Sequence, residues 1–161
     1  MFKKMIPLGL AIAMLIPTIA SADTIPTPAN SAKAPYAAQI KAERQTIKTN
    51  RDTNQGIRVT IKDKLAQIKT LVTQDKADKT LKAKKDALIA ERAVIKADNA
   101  SRKAINVNLA TYWQTVKTDV SNKDYANLVI DLQKIPALQT SKTPILQKLS
   151  SDLDALTSIL K

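Results

Sequence analysis

Apolar residues recur at every seventh position over most of this chain, and that spacing constrains the fold more than any other feature. Residues seven apart lie on one face of an α-helix, so each run of them forms a narrow apolar stripe. Two runs follow the spacing: Ile40, Ile47, Asn54, Ile61 and Ile68, then Leu81, Leu88, Ile95, Arg102, Leu109 and Val116. The sequence therefore predicts an all-α fold built on a long antiparallel helical hairpin, coiled-coil-like, with a small C-terminal helical bundle.

The composition excludes most other classes of protein. The chain has two glycines and 3% aromatic residues, too few for the turns and strands of a sandwich or barrel. It has no cysteine and no histidine, which removes thiol, imidazole and ordinary zinc or haem chemistry. After residue 22 the only glutamates are Glu43 and Glu91, which the hairpin places about 27 Å apart, whereas a glycosidase pair needs roughly 5 to 9.5 Å. We therefore predict no enzymatic activity, no catalytic residues, no metal site and no cofactor.

The N-terminus has the pattern of a secretory signal peptide. Two lysines precede an apolar run that ends in Ala20-Ser21-Ala22. Residues 1–22 are the predicted signal peptide, with an uncleaved membrane anchor as the alternative. Residues 23–35, which contain three prolines, are a predicted Pro-rich linker. The expected location is extracytoplasmic, secreted or at the cell surface.

Charge divides the remaining chain into two regions. Without residues 1–22 the formal charge is +10, and nearly all of it lies in the predicted basic hairpin, residues 36–120. Residues 118–161 contain five basic and five acidic side chains. We therefore define residues 121–161 as a neutral, Leu-rich helical tail that packs on the open end of the hairpin.

The hairpin turn is predicted within residues 74–79, the most polar stretch between the two stripes. Facing residues then have numbers that sum to about 152, which places Asn54 opposite Asp98 and Asn50 opposite Arg102. These four residues form a predicted polar layer that sets the register of the hairpin.

Two other local readings stay open. Turns at residues 54–56 and 98–101 would convert the hairpin into a compact four-helix bundle. Residues 57–61 and 105–109 alternate with period two, which is a strand signal, but helix formers flank them and we interpret them as helix.

The tail is predicted to form two helices. Ser121 and Asp124 resemble a capping box for the first, which Pro136 ends. Thr143 and Pro144 have the pattern of an N-cap and first position for the second. The predicted core of the resulting C-terminal bundle consists of Tyr36, Tyr112, Trp113, Leu149 and Leu153.

The candidate partner-binding residues lie at the predicted tip of the hairpin: Lys76, Lys79, Lys82, Lys84 and Lys85. The alternative interpretation is a solvated charged face that keeps the protein soluble. The excess of positive charge favours an anionic cell-wall or surface polymer, or an unfolded protein, as partner. Without aromatic residues among the basic ones, sequence-specific nucleic-acid recognition is not expected, and neither is stable membrane insertion after signal cleavage. The sequence is also compatible with a homo-oligomer.

Two resemblances accompany these patterns. The segment Thr46 to Arg58, followed by a Lys-rich helix and a Leu-rich tail, resembles uncharacterised secreted helical proteins of Gram-positive bacteria. In shape and charge the chain also resembles Spy/CpxP-like and Skp-like extracytoplasmic chaperones. That likeness implies ATP-independent binding of unfolded proteins. The chain departs from both chaperone types, because residues 71–74 lack the Spy-like Leu-Thr-x-x-Gln spacing and no strand-built body is predicted.

Overall fold

Three long helices make up nearly all of the structure, a computed structural model that describes residues 31–161. They are α1 (Ala37–Ala77), α2 (Lys85–Asn122) and α3 (Tyr125–Leu160), with short 3-10 helices at Ser31–Tyr36 and Thr80–Lys82. No strand occurs among the described residues, and the all-α prediction is confirmed. The predicted signal peptide and residues 23–30 of the predicted linker lie outside the described residues.

Most buried positions of α1 and α2 are heptad positions. All five predicted for α1 are buried, and so are those of α2 from Leu88 to Val116. The two segments with strand-like alternation are helical as interpreted, and their off-stripe residues Val59 and Val107 are 49% and 65% exposed. The four-helix alternative is wrong, because residues 54–56 lie within α1 and residues 98–101 within α2.

Helix α3 lies against both other helices along their length. The backbones of α1 and α2 pack closely on α3 but hardly approach each other. The narrow stripes of α1 and α2, which predicted two helices closing on each other, therefore face α3. Its leucine stripe is broader and buries more apolar surface than a two-helix seam could.

The predicted break in the tail is wrong, because α3 is one continuous helix that contains both Pro136 and Pro144. A proline removes one helical hydrogen bond and crowds the preceding turn. Here side chains of α1 bond to nearby carbonyl oxygens: Asn50 donates to the carbonyl of Pro136 at 3.4 Å and Asn54 to that of Gln139 at 3.0 Å. Burial of apolar residues on both sides of the prolines holds the helix together.

The start of α3 also differs from the predicted capping box. Asp124 itself is the N-cap, and its carboxylate accepts a hydrogen bond from the Asn127 backbone N–H at 3.1 Å. Ser121 lies inside α2 and donates to the carbonyl of Lys117. Lys123, in the left-handed conformation with φ 57°, ends α2.

Two apolar clusters form the core. The turn-end cluster joins the end of α1, the start of α2 and the second half of α3: Ile61, Ile68, Val72, Leu88, Ile95, Leu146, Leu149, Leu153, Leu156 and Leu160. The open-end cluster joins the opposite parts of the same helices: Ile40, Ile47, Leu109, Val116, Tyr125, Leu128, Val129, Leu132 and Ile135.

The predicted C-terminal core is divided between these clusters. Tyr36, Tyr112 and Trp113 pack, half-buried, against the open-end cluster, whereas Leu149 and Leu153 lie in the turn-end cluster. The prediction grouped them because a break at Pro136 would have folded the chain back. An unbroken α3 instead places residues 146–160 at the far end of the bundle.

The connection between α1 and α2 begins later than predicted. It spans residues 78–84, with Lys79 in the left-handed conformation at φ 61°. Asp75, predicted to lie in the turn, is buried at the end of α1 and accepts hydrogen bonds from the Thr80 hydroxyl at 2.7 Å and from Lys84 Nζ at 3.0 Å. Asp75 was predicted to lie in the turn because it is polar, but its hydrogen-bond partners lie inside the fold.

Candidate functional site

A buried polar layer separates the two apolar clusters at the middle of the bundle. Asn54 Nδ2 donates to the carbonyl of Gln139 at 3.0 Å, and the Thr143 hydroxyl donates to Asn54 Oδ1 at 3.0 Å. Lys142 Nζ donates to Asn106 Oδ1 at 2.6 Å. The buried polar members are Asn54 from α1, Arg102 and Asn106 from α2, and Gln139 and Lys142 from α3.

The layer contains two of the four residues predicted to set the register. Asn50 lies about one turn away, bonded to Pro136 and Thr140 of α3. Asp98 binds Lys148 of α3 at 2.6 Å, some seven residues, or roughly 10 Å, along α3 from the stretch that binds Asn54. Asn54 therefore lies at the level of Asn106 and not at that of Asp98, because the turn lies later in the chain than predicted.

Three cations meet in this layer. Arg58 of α1 is half-buried, and Arg102 and Lys142 are 3% and 5% exposed. The Nε atoms of both arginines are buried and have no hydrogen-bond partner among the described residues. No ion pair within residues 31–161 neutralises any of the three.

Burial and mutual repulsion weaken these charges. Burial lowers the pKa of Arg58, and burial followed by the charge of Arg58 lowers the pKa of Arg102. Burial, then Arg58 and Arg102, lowers the pKa of Lys142 to about 8. The middle of the bundle is thus a desolvated, positively charged layer.

The predicted tip lysines have different surroundings. Lys76, Lys79, Lys82 and Lys85 are exposed. Lys84 is not free, because its Nζ binds both carboxylate oxygens of Asp75 and donates to the carbonyl of Leu160 at 2.6 Å. Lys84 therefore ties the ends of α1 and α3 together and is removed from the set of candidate partner contacts.

Nine exposed lysines form two rows along the bundle, which we call the lysine rows. Each directly follows a heptad position, so neighbours within a row are seven or fourteen residues apart. The rows consist of Lys41, Lys48, Lys62, Lys69 and Lys76 on α1, and of Lys82, Lys96, Lys103 and Lys117 on the 3-10 turn and α2. None of the nine has an ion-pair partner in the described part of the chain.

Contacts on the other side of α1 and α2 show where the rows point. The residue three after a heptad position faces α3: Lys64 binds Asp154 at 2.6 Å, and Asp98 binds Lys148. Side chains one and three positions after a heptad residue are about 160° apart around a helix. Both lysine rows therefore lie on the sides of α1 and α2 opposite these two contacts with α3.

Charges of opposite sign are segregated on these two helices. Basic residues also recur four positions after heptad residues, at Arg44, Arg51, Arg58, Lys79, Lys85 and Arg92. In α1 and α2 no acid lies one or four positions after a heptad residue. Several acids, among them Glu43, Glu91 and Asp119, occupy the side that faces α3. One face of the molecule is therefore predominantly basic, with Asp52 and Asp86, one helical turn after Lys48 and Lys82, as the acids beside it.

Asp119 illustrates the electrostatics of the acidic side. Asp119 and Asp131 are both buried where α2 meets α3, and Asp131 also binds Lys134 at 2.6 Å. Burial, then the charges of Asp131 and Asp124, raises the pKa of Asp119. A carboxyl whose pKa is raised by folding stabilises the fold when protonated, and this contribution disappears as pH rises through the folded-state pKa.

Asp119→Asn should therefore stabilise the protein at pH 7 by about 1 kcal/mol, because the amide removes the repulsion and still offers a donor to Asp131. Thermal melts followed by circular dichroism should show the gain at pH 7 and a smaller one at pH 3, where Asp119 of the wild type is protonated. Asp63→Asn, at an exposed position, should leave the melting temperature unchanged. A lower melting temperature for Asp119→Asn at pH 7 would contradict the assignment.

The lysine rows could have been found in the sequence. Their signal is the recurrence of lysine one position after most heptad positions, a pattern independent of where the turn lies. A count of charges in sequence windows, which singled out the tip, does not detect a face that runs along a helix.

Comparison with protein-family models, curated proteins and solved structures found no match to this chain. Among residues 31–161 no cluster of carboxylates is arranged to hold a metal ion. None of the helices in that range is both long and apolar enough to cross a membrane. Function is therefore argued from the charged surfaces themselves.

Proposed function

We propose that the protein is an exported, non-enzymatic binding module at the cell surface whose basic face contacts an anionic envelope polymer. The observation that carries this proposal is the pair of lysine rows, nine exposed cations without a carboxylate at an equivalent position. A solvated face that only maintains solubility usually mixes both signs of charge. A face of one sign favours an extended partner of the opposite sign.

The rows belong to one surface because α1 and α2 act as the two arms of an antiparallel pair held by α3. The start of α1 and the end of α2 share the open-end cluster, which supports an antiparallel arrangement of the two helices. Opposite directions turn the same heptad offset toward the same side of the bundle. Lysines seven residues apart on a helix are about 10 Å apart along its axis. A linear polymer lying along α1 and α2 would therefore meet a cation at about this spacing over most of each row.

The predicted signal peptide supports an extracytoplasmic location, where wall polymers that bear phosphate are abundant. The expected interaction is electrostatic and weakens as salt screens it.

Neutralising the rows should weaken binding to long-chain polyphosphate, used here as a phosphate-rich linear probe. The variant Lys62→Gln, Lys69→Gln, Lys96→Gln, Lys103→Gln should bind about ten-fold more weakly or worse, since each exposed contact contributes several tenths of a kcal/mol. Titration at several salt concentrations should also show a shallower salt dependence for the variant.

The matched control loses two charges from exposed lysines outside the basic face, at Lys123 and Lys161, and is compared with the double row variant Lys62→Gln, Lys103→Gln, which loses the same charge. The control should retain affinity within about three-fold of the wild type, as expected for contacts worth little individually. An equal loss in both variants would show that only net charge matters and would overturn the assignment to the rows.

Capture of unfolded proteins is the alternative function and would need accessible apolar surface as well as charge. The exposed large apolar side chains are Val59, Ile89, Val94, Val107 and Ile130, and no two of them lie three or four residues apart on a helix. Scattered single residues of this kind do not form an apolar patch. Suppression of client aggregation that persists at high salt would favour the chaperone function and count against the polymer.

A further inference from the structure

Three cations lie in the polar layer at the middle of the bundle, separate from the lysine rows. One comes from each helix: Arg58 from α1, Arg102 from α2 and Lys142 from α3. Two are at least 95% buried, and no carboxylate pairs with any of them in the described residues. A buried charge without an ionic partner is destabilising, so Arg102 and Lys142, with the half-buried Arg58 beside them, require compensation.

The uncharged members of the layer do not supply that compensation. Asn54 is bonded to α3, and the one acceptor that Lys142 finds is the amide oxygen of Asn106. The Nε donors of both arginines have no acceptor among the described residues. The buried Oε1 atom of Gln139 has no donor there. One buried donor of each guanidinium group, its Nε–H, is therefore left without an acceptor from the described residues.

We propose that this layer binds one small tetrahedral oxyanion, of the sulfate or phosphate type, between Arg58, Arg102 and Lys142. Guanidinium groups match the oxygens of such an anion with paired hydrogen bonds, and an ammonium group adds a compact charge. Three cations from three helices surround an anion in a way that one surface helix cannot. The bound anion links α1 to α2 at the level where their backbones lie apart.

Sulfate is the probe for the first test because it does not titrate near neutral pH. At low millimolar concentration, with ionic strength held constant by sodium chloride, sulfate should bind one per chain in calorimetry and raise the melting temperature. Arg102→Gln should weaken sulfate binding about ten-fold or more, as expected for loss of charged hydrogen bonds in a buried site.

The neighbouring residue provides the matched control. Lys103→Gln removes the same charge one position along α2, but from an exposed lysine of the rows. It should leave the sulfate affinity within about two-fold of the wild type, since exposed charges contribute little. Equal weakening by both variants, or no saturable binding by the wild type, would overturn the internal site and leave adventitious surface binding only.

Two further readouts keep the test independent of folding defects. In the absence of sulfate, Arg102→Met should melt at a higher temperature than the wild type, because it removes an unpaired buried charge. A residue with a purely structural role would instead lower the melting temperature. Sulfate affinity should also fall as pH rises above about 8, where Lys142, which faces Arg58 and Arg102, loses its proton.

The outcomes of this test and of the polymer test are distinguishable. The four-lysine row variant should lose polyphosphate binding and keep the single sulfate site. Arg102→Gln should lose the sulfate site and keep polyphosphate binding. Loss of both ligands in either variant would contradict the separation of the two sites.

Discussion

The double variant Leu149→Ala, Leu153→Ala is expected to be largely unfolded at room temperature. Both side chains are fully buried in the turn-end cluster, where α3 lies against α1 and α2. Each truncation of a buried leucine costs roughly 2 to 5 kcal/mol. Together they remove most or all of the 5 to 15 kcal/mol by which a typical domain is stable.

Far-ultraviolet circular dichroism should show loss of helix in α1 and α2 as well as in α3. The reason is that the backbones of α1 and α2 lie closer to α3 than to each other, so their stripes depend on α3 for burial. Ile130→Ala is the matched control, since it shortens a branched side chain on the same helix that is 50% exposed. Retention of most of the helical signal by the double variant would show that α1 and α2 form a stable pair without α3.

The dependence on α3 marks the limit of what the heptad pattern could predict. The spacing of seven identified most of the buried positions of α1 and α2 from Ile40 to Val116, but not Val72, Asp75 or Asn106. It could not identify the partner helix, because a narrow apolar stripe fits a two-helix seam and a three-helix core equally well. The wide leucine stripe after Tyr125 contained that information, but Pro136 concealed it by suggesting a break.

The polar residues were harder to place for a related reason. Asn54 and Arg102 stand out as interruptions of the stripes, and both lie in the buried layer. Asn54 is bonded to Gln139 and Thr143 of α3, and Lys142 of α3 lies beside Arg102, so no pairing between α1 and α2 alone could identify these neighbours. The charge of the layer depends on Arg58 as well, which lies off the stripe and becomes half-buried only when three helices are assembled.

The clearest consequence of that charge concerns alkaline pH. Lys142 is 5% exposed, lies beside Arg58 and Arg102, and donates to Asn106. Folding lowers its pKa from 10.5 to about 8, so between these values the unfolded chain binds more protons than the folded one. The free energy of unfolding must therefore rise with pH in that window, the opposite of the usual behaviour of a paired lysine.

In sulfate-free buffer the wild type should become more stable between pH 8 and pH 10 by about 1 to 2 kcal/mol, a figure reduced for solvent screening from the full effect of the pKa shift. Urea unfolding at pH 7, 9 and 10 measures the change. Lys142→Met has no proton to lose, so its stability should start above that of the wild type at pH 7 and the difference should narrow as pH rises. Lys142→Arg keeps the buried charge at every pH, so its free energy of unfolding should not rise between pH 8 and pH 10 as that of the wild type does. If the wild type and Lys142→Arg had parallel pH profiles, Lys142 would not be the group that titrates, and the middle layer would not hold three charges at neutral pH.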